Sequence, residues 1–223
     1  MSLFGRFLKR FFDILNSTIS IVFFLITWAV IALIIKLQSP GPVIYKALRI
    51  GKDGKEFVCY KFRTMRVDSG DIKLTTLSND NRIYGFGKFL RKTKLDETPQ
   101  LFNILKGEMS VIGPRPEDKI NIEDTNYDFY KMIISAKPGL SSPASIYDYT
   151  HGEKYNDICL YRQEFLPKKL QLEVYYIKHQ SVFYDLRIII RTIVTIVLIT
   201  FGKKAFKEPQ EFKKIRNEKK EAV

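Results

Sequence analysis

Asp96 and Glu97 stand side by side in Leu95-Asp96-Glu97-Thr98-Pro99-Gln100-Leu101-Phe102-Asn103, just before a helix start. Thr98 is a residue type that caps helix N-termini and Pro99 suits the first helical position. Leu101, Ile104 and Leu105 supply an apolar face, and Gly107 a stop. A turn entering a helix carries unpaired N–H groups and the positive end of a dipole, so it favours anions and keeps carboxylates ionised. That placement suits phosphate chemistry, and it equally suits two charges that only cap the helix. Two other segments offer cations. In Tyr60-Lys61-Phe62-Arg63-Thr64-Met65-Arg66, strand alternation puts Lys61 and Arg63 on one face, as a phosphate site, a solvated face or an RNA-stacking surface. In Gly113-Pro114-Arg115-Pro116 the prolines stiffen the backbone around Arg115, whose guanidinium fork suits phosphate oxygens or a structural carboxylate.

The elements that must position these groups begin with a membrane-seeking segment. Leu3, Phe4, Phe7, Leu8, Phe11 and Phe12 fall at helical spacing between Arg6, Lys9 and Arg10, the pattern of a basic amphipathic helix on a membrane surface. Ile14 to Ile35 then holds 22 residues without charge. Such a run reaches roughly 33 Å as a helix, enough to span a bilayer and too long for a signal peptide. Basic residues flank both ends, so the positive-inside rule gives no orientation. Two topologies fit: a single span, or a segment that enters and returns. Asn16, Ser17, Thr18, Ser20 and Thr27 lean toward the second.

Ser39-Pro40-Gly41-Pro42 ends this segment. Val43-Ile44-Tyr45 and Phe57-Val58-Cys59-Tyr60 read as strands of a hairpin turned at Asp53-Gly54. Residues 68–82 read as a polar loop, and Tyr84 to Lys92 as a short basic helix whose glycines make no dinucleotide fingerprint. Residues 117–136 read as helix and loop. Pro167 to Gln180 reads as a packed helix with a structural His179, and Val182 to Phe201 as an interfacial helix too interrupted by Asp185, Arg187 and Arg191 to span. The segments are therefore 1–38, amphipathic and membrane-inserted; 39–202, a domain with a C-terminal interfacial helix; and 203–223, a mobile basic tail near anionic lipid.

Composition narrows the partners. Lys and Arg number 37 against 24 Asp and Glu, a net charge of +13 that calls for nucleic acid, an anionic membrane or phosphorylated substrates. Cys59, Cys159, His151 and His179 show no zinc spacing and no disulfide framework, which points to a reducing compartment. Carboxylates at the centre of a basic protein argue against nucleic acid as the partner, since an electrostatic site of that kind excludes them.

In order along the chain, Lys9-Arg10-Phe11-Phe12-Asp13, Gln38-Ser39-Pro40-Gly41-Pro42-Val43-Ile44, Tyr60 to Met65, Leu95 to Asn103, Lys106-Gly107-Glu108-Met109-Ser110, Gly113 to Pro116, Lys137-Pro138-Gly139 and Asp185-Leu186 resemble the bacterial sugar transferase family. These are monotopic polyprenol-phosphate phosphoglycosyl transferases that start surface glycan assembly. The resemblance implies transfer of a sugar 1-phosphate from a UDP-sugar to polyprenyl (undecaprenyl) phosphate with release of UMP. It also implies help from Mg²⁺, at the cytoplasmic face of the bacterial inner membrane, in exopolysaccharide, lipopolysaccharide or capsule synthesis.

By that resemblance Asp96 is the nucleophile and forms a phosphoglycosyl-aspartate, and Glu97 assists as a metal or second acceptor group. The catalytic and metal-binding pair is thus Asp96 and Glu97, with Lys61, Arg63 and Arg115 binding phosphate. The expected fold is α+β, mainly helical with a small β-hairpin. It is membrane-associated through an N-terminal re-entrant or spanning helix and interfacial helices, and a homodimer is compatible with it. Two departures stand out: no proline interrupts residues 14–35, and Lys137-Pro138-Gly139 continues as Leu140-Ser141-Ser142-Pro143-Ala144-Ser145 where many relatives have Ile-Thr-Gly. The competing readings are a noncatalytic membrane-anchored nucleic-acid or polyphosphate binder, and a membrane scaffold for partner proteins.

Overall fold

The computed structural model describes residues 3–66, 82–116, 127–152, 155 and 157–221. Of the loop read at 68–82 only Arg82 is among them, and the first part of the segment read at 117–136 is outside them.

Helix α1 (Leu3–Gln38) joins the amphipathic start and the uncharged run into one continuous helix of 36 residues. Its helical pattern is unbroken, so neither Asn16 nor Ser20 serves a re-entrant bend; Asn16 Nδ2 donates to Phe12 O one turn earlier at 2.8 Å. The helix is inside out in its N-terminal half. Asp13 and Ser17 are buried while Phe4, Phe7, Val22, Phe23 and Ile26 are exposed. The inner polar groups have partners there. Arg10 donates to Ile104 O and Leu105 O at 2.6 and 2.8 Å, Lys9 to Ile112 O at 2.8 Å and to Asp185, and Asp13 accepts from Ser110 Oγ and Val111 N. Farther along, Ile31 and Ile35 pack with Phe62, Tyr84 and Leu90. The helix therefore lies along the domain from Lys9 to Ile35.

The expected hairpin forms from β1 (Ile44–Ile50) and β2 (Glu56–Phe62), antiparallel with Ile44 opposite Phe62. Asp53 and Gly54 both take positive φ, which this residue pair tolerates. Alternation buries Phe57 and Cys59 against Leu101, Ile104 and Met109, with Ile21, Phe24 and Trp28 of α1 closing the cluster. Helix α2 (Gly85–Thr93) leads into a 3₁₀ turn, Leu95–Gln100, then α3 (Leu101–Lys106), which Gly107 ends at φ 88°.

A second, parallel pair, β3 (Ser110–Ile112) and β4 (Gly139–Ser141), was not foreseen. It exists because Gly113 and Gly139 let two backbones cross where a Cβ on either would fall on the other strand. Helix α4 (Tyr127–Ser135) precedes β4, and α5 (Pro143–His151) follows it, capped by Ser142 Oγ accepting from Ser145 N at 2.9 Å. Helix α6 (Leu166–Lys178) ends at His179, whose Nδ1 lies 2.9 Å from Tyr175 O, as a structural histidine should. In α7 (Val182–Thr200) Asp185, Ile188 and Thr195 face inward while Phe183, Ile190, Ile193 and Phe201 are exposed.

The basic tail expected over 203–223 is corrected by the structure. Helix α8 (Glu211–Glu221) docks back: Glu211 is buried, pairs with Arg191 and accepts from Tyr184 Oη at 3.0 Å, and Phe212 meets the Tyr147 ring edge-on at 5.3 Å. The Lys/Glu alternation hid one anchoring Glu-Phe pair, and a buried ion pair beside aromatic packing holds a segment that charge pattern alone would leave in solvent.

Candidate active site

The carboxylate pair lies within the 3₁₀ turn Leu95–Gln100. This corrects the expected capping: Thr98 Oγ1 donates back to Leu95 O at 2.8 Å, and α3 starts at Leu101 without a side-chain cap. Lys94 enters the turn at φ 57°, and its carbonyl accepts from Glu97 N at 3.2 Å. The turn is held against β2 by Asn103, which accepts from Tyr60 N at 3.1 Å and donates to Val58 O at 2.7 Å and Glu108 Oε2 at 2.6 Å. That junction brings Lys61 within reach of the pair.

Glu97 is a hub of charge. Its Oε1 accepts from Lys61 Nζ at 2.8 Å and from Arg115 Nη2 at 2.9 Å. Arg115 is in turn fixed at its backbone, where its N–H donates to Glu173 Oε1 at 3.0 Å, an oxygen that also accepts from Ser142 Oγ at 3.0 Å. The divergent Leu140 to Ser145 segment thus supports the arginine through Ser142, and α5 behind it carries Tyr149, whose ring lies 3.9 Å from Lys94 Nζ.

Arg63, expected beside Lys61 on the phosphate face, is elsewhere. β2 ends at Phe62, so strand alternation no longer governs position 63. Its guanidinium is buried and donates to Ser39 O at 2.6 Å and Pro40 O at 2.5 Å, clamping the linker that follows α1. The structure therefore brings together Asp96, Glu97, Lys61 and Arg115 and leaves Arg63 out. Sequence reasoning missed Lys94, Tyr149 and Glu173. Lys94 had a visible signal in its nearness to Asp96, whereas Tyr149 and Glu173 had none, because only tertiary packing brings them here.

The two carboxyls are driven apart in acidity. Burial, then the charge of Glu97, raises the Asp96 carboxyl to about 6 against the opposing pull of Lys61, Lys94 and Arg91. Burial pushes Glu97 the same way, yet Arg115, Lys61 and Lys94 outweigh it and hold its carboxyl well below the usual range. The turn's expected preference for ionised carboxylates is thus met at Glu97 and opposed by burial at Asp96. Burial lowers the Lys94 ammonium and raises the Tyr149 phenol. Among the described residues Asp96 Oδ1 is buried with no hydrogen-bond partner. A buried unpaired carboxylate oxygen is costly, so it marks a place where a ligand atom belongs.

Among the described residues no group of three or more His, Cys, Asp or Glu side chains could hold a metal. The pair still fits Mg²⁺, which is commonly held by one or two carboxylates with substrate phosphates completing the shell. Asp96 Oδ1 is the open donor, while Glu97 Oε1 is taken by cations.

Comparison with known proteins gives one family and a consistent set of relatives. The family described as bacterial sugar transferase matches residues 4–199. A UDP-N-acetylgalactosamine-undecaprenyl-phosphate N-acetylgalactosaminephosphotransferase of Aeromonas hydrophila is 38% identical over 88% of this chain and 45% of its own length. A UDP-glucose:undecaprenyl-phosphate glucose-1-phosphate transferase of Escherichia coli is 36% identical over 85% of this chain and 40% of its own. The exopolysaccharide production protein ExoY of Rhizobium meliloti is 33% identical over 87% of each chain. The chain thus spans less than half the length of the first two relatives.

Proposed function

The chain belongs to the bacterial sugar transferase family, and from that premise we propose that it moves a sugar 1-phosphate from a UDP-sugar to polyprenyl phosphate. The observation that carries the reading is Asp96 Oδ1, buried and unpaired beside a glutamate that holds Lys61 and Arg115. An Asp96 carboxylate oxygen attacks the β-phosphorus. A P–O bond forms, the bond to the oxygen bridging the two phosphorus atoms breaks, and UMP leaves with that oxygen. A phosphate oxygen of the polyprenyl acceptor then attacks the same phosphorus and frees the Asp96 carboxylate. Splitting the transfer this way keeps two crowded anions from meeting in one displacement.

The acidities suit these roles. A carboxyl poised at about 6 is largely ionised at neutral pH, yet its oxygen is more basic than an ordinary aspartate's. Glu97 stays anionic and holds Lys61 and Arg115 beside Asp96, where their positive charge faces the diphosphate. Asp96 and Glu97 would hold Mg²⁺ with the diphosphate oxygens, and the ion would neutralise charge there when bound.

We place the chain on one face of a membrane. Supporting this are the exposed apolar side chains of α1 and α7, among them Phe23, Ile26, Phe183 and Ile190, on helices that turn Asp13, Ser17, Asp185 and Thr195 inward. Helix α1 is long and apolar enough to cross a bilayer. A crossing, however, would draw along the charged domain that it packs against from Lys9 to Ile35, so lying in one leaflet is the lower-cost arrangement.

The test is UMP release by the full chain in undecaprenyl-phosphate nanodiscs, across a panel of UDP-sugars. Mg²⁺-dependent release by the wild type and none by Asp96→Asn is expected. Equal behaviour of the two, as a polyphosphate binder or scaffold would give, overturns the reading.

A further inference from the structure

Trp28 is the chain's single tryptophan and stands in the middle of its apolar run. Its indole is only half-buried, yet its Nε1–H donates to Thr98 Oγ1 at 2.8 Å. Thr98 follows Glu97 directly, and its hydroxyl donates a hydrogen bond to Leu95 O at 2.8 Å. One hydroxyl therefore accepts from α1 and closes the turn that carries Asp96 and Glu97. The indole is set for this by rings on three sides: Phe24 on α1, Phe62 at the end of β2 and Phe102 on α3, with centroids at 6.4, 6.3 and 5.5 Å. Two of these neighbours flank the site, since Phe62 follows Lys61 and Phe102 lies just beyond the turn.

A half-buried indole N–H needs a partner, and its choice of a threonine on the carboxylate turn has a structural consequence. A short 3₁₀ turn makes weak backbone hydrogen bonds and is soft on its own. A directed bond from a 36-residue helix gives it a rigid support.

Resting on the function proposed above, we propose that Trp28 is a positioning residue for the reaction. Through Thr98, the apolar helix fixes the turn that presents Asp96 to the diphosphate. The seating of α1 on the domain and the geometry of the active site are then one structural event. A displaced helix leaves the nucleophile's turn unsupported.

The experiment uses the full chain in nanodiscs with four variants: Thr98→Val, Thr98→Ser, Trp28→Phe and the double Trp28→Phe/Thr98→Val. Turnover and amide hydrogen exchange of the peptide covering Leu95–Gln100 are both measured. Thr98→Val is expected to lower kcat about tenfold with KM for the UDP-sugar within about twofold, and to speed exchange of that peptide about tenfold. Both numbers are on the scale of one lost hydrogen bond. Thr98→Ser, which keeps the hydroxyl, should stay near wild type, and the double variant should be no worse than the more affected single one. Wild-type kcat and exchange in Thr98→Val or in Trp28→Phe overturn the proposal, as does an equal loss in Thr98→Ser or, where both single variants lose activity, strict additivity in the double variant. Absence of turnover in the wild type with every UDP-sugar overturns the functional reading instead, and the exchange data then decide the positioning role by themselves.

Discussion

Asp96 and Glu97 are neighbours in the chain and opposites in acidity: burial lifts the first to about 6, while Arg115 and Lys61 hold the second well below the normal range. The division follows from geometry. Both Lys61 Nζ and Arg115 Nη2 reach the same Glu97 oxygen, whereas Asp96 Oδ1 is left without a partner. One acid is spent on holding cations and the other is kept open for a ligand.

An open, buried carboxylate costs stability. The folded-state pKa of Asp96 lies above its ordinary value of 3.8, so its favourable contribution is complete below that value and is lost as pH rises through about 6. Asp96→Asn should therefore melt higher than wild type at pH 8, by on the order of 2 kcal/mol or roughly 5 °C, with the gain vanishing below about pH 4. Thermal melts of the two proteins across that range check it. A variant less stable than wild type at pH 8 contradicts the assignment of a penalty to this group.

Glu97→Gln should act in the reverse direction. The glutamate's depressed pKa contributes stability above its ordinary range near 4.5, which is lost as pH falls. Removing the charge takes away the carboxylate that Lys61 and Arg115 share, and a loss of roughly 3 kcal/mol at pH 7 is expected, with turnover reduced at least about a hundredfold. Urea titration and UMP release measure the two effects.

Lys61→Met and Arg115→Met should each lower kcat/KM about a hundredfold, the scale of one charge-assisted contact to phosphate. Arg63→Met should behave differently, lowering the melting temperature while leaving KM for the UDP-sugar within about twofold, because its guanidinium holds Ser39 O and Pro40 O. Kinetics and melts of the three variants separate substrate cations from a linker clamp.

The contrast among those three cations shows how far residue type and spacing carry. Asp96, Glu97, Lys61 and Arg115 could be named from sequence because each stands in a short segment of distinctive chemistry. Arg63 could not be sorted from Lys61, since alternation assumes a strand that in fact stops at Phe62. Lys94 meeting Tyr149, and Glu173 meeting the Arg115 N–H, join segments far apart in the chain and leave no local pattern. The parallel β3–β4 pair is three residues per strand, too short for periodicity, and only the crossing at Gly113 and Gly139 explains it. In α1 the apolar length was plain, whereas the inward turn of Asp13 and Ser17 depended on partners such as Ser110.

Membrane attachment can be tested at both ends of α1. In a Cys159→Ala background, with Cys59 buried, cysteines placed at Phe4 and Tyr45 should react with a membrane-impermeant maleimide from the same side of sealed vesicles. Opposite-side labelling rejects the one-leaflet arrangement. Replacing exposed Phe183 by Glu should weaken binding to anionic vesicles about tenfold, on the scale of one lost aromatic insertion.

The account turns on Asp96 as a covalent centre, and a single-turnover experiment without acceptor reaches that point directly. Purified full chain is mixed with Mg²⁺ and a UDP-sugar that supports turnover, in nanodiscs lacking polyprenyl phosphate, and UMP and intact protein mass are followed together. One equivalent of UMP should appear as a burst, with a matching sugar-phosphate mass gain mapped to Asp96 and discharged when polyprenyl phosphate is added. UMP that forms only when the acceptor is present, with no mass gain at any time, would contradict the account and point to direct transfer between the two substrates.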